Sequence, residues 1–276
     1  MTVCIGALAR KCIILGFDKM VSGEGISSET EYKFHPLTEQ LVCLYAGSPA
    51  RAAELGLIYR ESLAKAELTP VNVIEHLREG LGMFKRRLAE SYTRQQLGMP
   101  YAEFLKNGLA WLGREEFRIN VDAVKRLPLG IDLIIAGFLG DFPVLCEWRE
   151  STGKDLEWCT NFAVIGSGAY TAEPSLHLRE HTRNTDRDRA LYHVFEAKKT
   201  AEQDPAVGEE THLFVLSPPS PPAKKVTLEY VSETGFGHLA KLWERHRPRP
   251  LKRWPDFPEH SVLVAQYDAP PLCLAS

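Results

Sequence analysis

Short apolar runs separated by polar turns fill the first fifty residues. Residues 3–8 and 12–17 are aliphatic and β-branched around the step Ala9-Arg10-Lys11, which predicts two strands joined by a tight turn. The Gly/Ser-rich stretch SGEGISSE that follows predicts loop, and residues 33–35 predict a short strand before Pro36. QLVCLYAG then reads as a buried strand ending on Gly47. The period changes after that. Ser48-Pro49 supplies an N-cap with proline in the first turn, predicting a helix to about residue 65. Thr69-Pro70 repeats the device, and Val73, Ile74, Leu77, Leu81, Phe84 and Leu88 keep helical spacing. Residues 92–128 interrupt the scheme and predict an insertion of mixed helix and loop.

Strands return at IDLIIAGF, PVLCEW and NFAVIG, followed by helices over 169–181 and 185–203 and a last buried strand, THLFVLS. Strands divided by short turns, with pairs of helices between them, predict antiparallel sheets with helices layered outside. A proline-rich spacer, SPPSPPAKK, separates residues 2–216 from an extension over 217–276. That extension carries one strand (KVTLEYV), one short helix (GHLAKLWERH) and a basic run with Arg245, Arg247, Arg249, Lys252, Arg253 and Trp254. The run reads as a proline-stiffened arm against the domain or a neighbouring subunit rather than as a nucleic-acid surface.

Composition narrows the function classes. The 276 residues are 44% hydrophobic and 25% charged, with a net charge of -3, so no general affinity for nucleic acid or an anionic membrane is expected. No basic leader precedes the first apolar run and no uncharged stretch is long enough to span a bilayer, which predicts a cytoplasmic protein. The six cysteines are scattered, without a CxxC pair, so neither zinc nor a disulfide framework is suggested; no cofactor is expected.

Thr2 sits directly before the first strand, after an initiator methionine that is normally trimmed before a small residue. A threonine hydroxyl must lose its proton as it attacks. A free α-amino group, with a reference pKa of about 7.7–8.0, can accept that proton directly or through one water. Alone, such a terminus is common. Read in order, however, Asp18 ends the second strand, Ser22 and Gly23 follow, and Lys33 opens the next strand. YAGS ends a strand at Gly47, Gly166-Ser167-Gly168 makes another strand-to-helix turn, and Asp204 stands at a helix end.

This ordered set is similar to the proteasome β-subunit family of N-terminal-nucleophile hydrolases, including the bacterial two-ring proteases, over residues 2–216. The resemblance implies an α+β fold, a four-layer αββα sandwich around two antiparallel sheets. It implies a threonine-type peptidase acting through an acyl-enzyme in a homo-oligomeric ring or ring-like assembly, with a peptide or protein substrate and an ATPase partner left open. Thr2 then supplies nucleophile and amine, and Lys33 lowers the hydroxyl pKa with Asp18 as its counter-charge. Ser167 and Asp204 position the amine, and the Gly47 N–H forms the oxyanion hole. Ser22, Gly23 and Tyr45 contact substrate, with Tyr45 favouring small or medium side chains before the cut. Departures are Val207 in place of a serine, Met20 in place of an arginine, the insertion and the extension. Each residue also has an ordinary alternative. Asp18 and Lys33 can be a surface ion pair, and Gly47 a turn glycine. Two other readings stay open, a small-molecule amidohydrolase of the same fold and a catalytically silent assembly member.

Overall fold

The computed structural model describes residues 2–18, 21–23, 26–28, 33–205, 207–220 and 225–247, with backbone only for 21–23 and 26–28. Strands β1 (Cys4–Ala9) and β2 (Cys12–Phe17) form a hairpin through the two-residue turn Arg10-Lys11, in which Lys11 takes a positive φ. The polar stretch expected to be loop instead contains two paired three-residue strands, β3 (Val21–Gly23) and β4 (Ile26–Ser28). Backbone pairing needs no apolar side chains, so such a hairpin leaves little trace in a hydrophobicity pattern.

Next come β5 (Phe34–Pro36), β6 (Leu41–Gly47) and the helices α1 (Pro49–Leu63) and α2 (Val73–Leu97). Ser48 caps α1, its side chain accepting from the Arg51 N–H. The second helix starts three residues later than Thr69-Pro70 implies. Thr69 and Asn72 bond each other's backbone N–H groups there and form a turn ahead of the helix. The 92–128 region is mostly helix rather than mixed: α2 runs on to Leu97, and α3 spans Tyr101–Lys125 with a left-handed break at Gly113 (φ 77°).

The chain continues with β7 (Ile131–Leu139), β8 (Phe142–Trp148), β9 (Glu157–Trp158), β10 (Phe162–Ile165), α4 (Ala169–Leu178) and α5 (Arg187–Ala201). It then forms β11 (His212–Ser217), β12 (Thr227–Tyr230) and α6 (Glu233–His246). The short β9 was not anticipated. Two five-stranded antiparallel sheets result, ordered β10-β1-β2-β11-β12 and β5-β6-β7-β8-β9. The strand and helix following the proline-rich spacer therefore join the first sheet and its helices. Arg245 and Arg247 lie at the end of α6, whereas Arg249, Lys252, Arg253 and Trp254 lie outside the described residues.

Period-two alternation explains the packing. In β2, Ile13, Leu15 and Phe17 point into a cluster shared with Val42, Leu44, Ile134, Ala136 and Phe138 of the other sheet, while Cys12 and Ile14 point oppositely toward α4, α5 and α6. In β6, Leu41, Cys43 and Tyr45 face α1 and α2. Each sheet is thus apolar on both sides, which is why its strands read as continuous hydrophobic runs. Among the described residues, no helix is long and apolar enough to cross a membrane.

One polar pair lies inside the helix-covered core. His181 Nε2 bonds the Leu8 carbonyl oxygen at 2.9 Å, and its Nδ1 lies 3.1 Å from Nδ1 of His193. Burial lowers both imidazoles below the ordinary value, His193 to about 4, where His181 and Arg179 add repulsion. The unfolded chain therefore takes up protons between about pH 6.5 and 4 that the folded pair refuses, so stability present at neutral pH declines across that window. Thermal melting from pH 7 to 4 is expected to show a falling midpoint, with a flatter slope in His193→Gln. Parallel slopes for the two proteins would remove this pair as the cause.

Candidate functional site

The hairpin register creates the first half of the site. Cys4 pairs with Phe17, so the chain ahead of β1 and the residue after β2 lie side by side. Asp18 N donates to the Val3 carbonyl at 3.4 Å, and Val3 N donates to Asp18 Oδ1 at 3.1 Å. The carboxylate thereby turns toward Thr2, whose hydroxyl donates to Oδ1. The second half comes from the other sheet. Lys33 precedes β5, and its backbone carbonyl accepts from Tyr45 N of β6 at 3.3 Å. Its Nζ donates both to Thr2 Oγ1 and, at 2.9 Å, to Asp18 Oδ1. Thr2, Asp18 and Lys33 are 5%, 0% and 3% exposed. The surface ion-pair alternative is excluded by that burial.

A third segment closes on Thr2. Because Cys4 also pairs with Ile165, the turn after β10 lies against the start of the chain. Thr2 N donates to Ser167 Oγ at 3.2 Å, and Gly168 N donates to the Thr2 carbonyl at 3.1 Å. Gly166 permits this approach, since at its φ of 88° a Cβ would come within 2.3 Å of the Thr2 carbonyl oxygen.

Thr2, Gly47 and Ser167 share the lining of one open cavity of about 240 Å³ with Ala46, Gly130, Ile131, Asp132, Glu150 and Gly166. Gly47 ends β6 at φ 108°, and a Cβ there would stand 2.2 Å from the Gly130 carbonyl oxygen. The remaining predicted residues are not part of that lining. Tyr45 is outside this cavity, buried on the helix side of its sheet and stacked on His35 at 5.1 Å. Asp204 is half-buried at the turn after α5, its carbonyl accepting from Val207 N at 2.9 Å. Ser22 and Gly23 belong to β3, and Met20 lies outside the described residues. Val207 is buried beside Gly168, so an apolar contact occupies the position where the resemblance has a hydroxyl.

Four residues received no role from sequence. Gly208 N donates to Asp18 Oδ2 at 3.1 Å, so both carboxylate oxygens are engaged. Lys198 reaches Gly208 from α5. Asp132, the lone charge in β7, accepts from Glu150 N at 2.9 Å, and Glu150 in turn accepts from Leu129 N and Gly130 N. Burial raises the Asp132 carboxyl pKa, with the N–H donors of Glu150 and Gly166 opposing the shift. A charge within an apolar strand, and a lysine on the face of α5 that carries Val194 and Ala201, were the available signals. Among the described residues, no group of three His, Cys, Asp or Glu side chains is placed to hold a metal ion.

Chemically, the arrangement offers a hydroxyl between an ammonium and a carboxylate, a backbone turn across the cavity and a serine on the adjacent nitrogen. Compared with protein-family models and with curated proteins, the sequence matches none.

Gly47→Ala is expected to lower stability by about 1–3 kcal/mol in urea unfolding, through strain at positive φ and contact with Gly130. Gly82→Ala, on α2 with open space around it, is expected to raise stability by about 0.5–1 kcal/mol. Equal effects at the two positions would contradict the strain argument.

Proposed function

We propose that this chain is an N-terminal-nucleophile amide hydrolase of the threonine type, similar to proteasome β-subunits, with its sheets and helices forming a four-layer αββα sandwich. The observation that carries the reading is the Thr2 hydroxyl held between the buried Lys33 ammonium and the buried Asp18 carboxylate. A resting structural threonine has no need of a desolvated cation at its oxygen, whereas a developing alkoxide does.

Removal of Met1 frees the Thr2 amine. The hydroxyl oxygen then attacks the substrate carbonyl carbon while its proton passes to the amine, directly or through water. Lys33 favours the oxygen's negative character, and Asp18 balances and aims Lys33. Ser167 Oγ, already bonded to the Thr2 nitrogen, orients the base, and the resemblance gives Asp204, at the turn after α5, the same task. Negative charge on the former carbonyl oxygen is received by the Gly47 N–H, a donor whose loss typically costs about 2.7–4 kcal/mol of transition-state stabilisation. Collapse breaks the C–N bond, and the leaving amine takes the proton from the Thr2 ammonium. Water, deprotonated by the same amine, then hydrolyses the acyl ester and restores the hydroxyl.

The substrate is a peptide or protein lying along Ser22, Gly23 and Gly47, and the working form is a homo-oligomer. The open cavity of about 240 Å³ also admits one alternative class of substrate, short acyl amides hydrolysed by the same residues. Turnover of casein-like chains against short amides divides the two.

Intact mass of the purified protein is expected to lack Met1, and a peptide epoxyketone is expected to add one inhibitor mass across the amine and hydroxyl of Thr2. Thr2→Ala should gain none, and Lys33→Met should react at least about a hundredfold more slowly, the scale of a lost proton-transfer or charge partner. Retained Met1 or equal labelling of Thr2→Ala would overturn the assignment.

A further inference from the structure

Lys198 is a lysine with no solvent exposure, on the inner face of α5. An ammonium shut away from water is costly unless fully bonded. Its Nζ donates to Glu202 Oε1 at 2.7 Å and to the Gly208 carbonyl at 2.6 Å. The Glu202 contact alone does not account for the burial. Lys199, at the more exposed edge of the same helix, already donates to Glu202 Oε2 at 2.8 Å, and Thr211 Oγ1 donates to Oε1 at 3.2 Å. The contact that only Lys198 makes is with Gly208. Gly208 is thereby held through both of its backbone polar groups, the carbonyl by Lys198 and the N–H on Asp18 Oδ2.

We propose that Lys198 is a positioning residue of the Thr2 site: its ammonium anchors Gly208 so that the Gly208 N–H meets the second oxygen of Asp18, and it stands as a fixed positive charge behind that carboxylate. Removing the anchor frees the turn between α5 and β11. Asp18 then loses a donor opposite the oxygen that Thr2 and Lys33 share. The charge acts as well, because a nearby cation opposes protonation of the Thr2 amine. The charged groups facing Lys198 are Glu202, Lys199 and, across Gly208, Asp18. Burial pulls the Lys198 pKa down, while Glu202 and Asp18 draw it back up. The kinetic part of this inference rests on the nucleophile reading of Thr2, and the structural part does not.

Two measurements on the full chain test it, comparing wild type, Lys198→Met and Lys199→Met. Amide hydrogen exchange at Gly208 is expected to be at least about tenfold faster in Lys198→Met, with the β2 amides unchanged, and within about twofold of wild type in Lys199→Met, which loses a Glu202 contact but none to Gly208. Labelling of Thr2 by a peptide epoxyketone between pH 5 and 9 is expected to slow about 10–100-fold in Lys198→Met, the scale for loss of an outer orienting partner. Its acid limb should also move to higher pH, because the amine loses a repelling cation, while Lys199→Met keeps the wild-type profile. Unchanged Gly208 exchange in Lys198→Met, or equal effects in the two variants, would reduce Lys198 to a helix-end ion pair and overturn the inference. If Lys198→Met does not fold, Lys198→Gln, uncharged and one bond shorter, is expected to show the same loss at Gly208 and is judged by the same outcomes. If the wild type takes up no label, the nucleophile reading fails, and the Gly208 exchange still decides the role of Lys198.

Discussion

A carboxylate and an ammonium lie 2.9 Å apart in the interior, almost wholly removed from water, with a hydroxyl touching both. Desolvating two ions offsets most of what their attraction returns, and well-packed apolar side chains of similar size commonly serve stability as well or better. Removing one partner alone is another matter, typically costing about 3–5 kcal/mol because the other is left buried and unpaired. The pair is therefore poorly explained as a device for holding the fold together. It is better explained by the oxygen that both ions touch.

Keeping such a cluster satisfied constrains its surroundings. Asp18 takes donors from Val3, Thr2 and Lys33 on one oxygen and from Gly208 on the other, so three separate segments must converge on one carboxylate. The β1–β2 register delivers Thr2 and Asp18, the edge of the second sheet delivers Lys33, and the turn before β11 delivers Gly208. Two glycines at positive φ, Gly166 and Gly47, let backbone approach where a Cβ would collide. The site is thus a product of the seam between the sheets. Local motifs name its parts without assembling them.

That distinction accounts for what could be read from sequence. The buried strands and most helices were legible, because continuous apolar runs and helical spacing follow directly from burial on two faces or one. The same pattern missed the pairing of β3 with β4, and β9, which is two exposed residues long. It also undercalled the helices of 92–128. There α3 leaves Leu105, Leu109, Trp111 and Ile119 exposed and breaks at Gly113, so apolar position and burial part company. Thr2, Asp18, Lys33, Gly47 and Ser167 were each identifiable as candidates. Their meeting depends on contacts between residues up to 165 positions apart, which spacing cannot encode. Lys198 was hidden for a different reason: helical lysines are ordinarily solvated, and only the depth of α5 against the sheet distinguishes this one from Lys199.

The chemistry ascribed to this seam turns on which atom carries the acyl group during turnover. Acid-quenching the mature protein with an activated peptide ester, then mapping the adduct by tandem mass spectrometry, observes that atom directly. The account predicts one acyl group on the Thr2 side-chain oxygen, appearing within a turnover and vanishing as substrate is exhausted. An acyl group on another residue, or product release with Thr2 never modified, would contradict it.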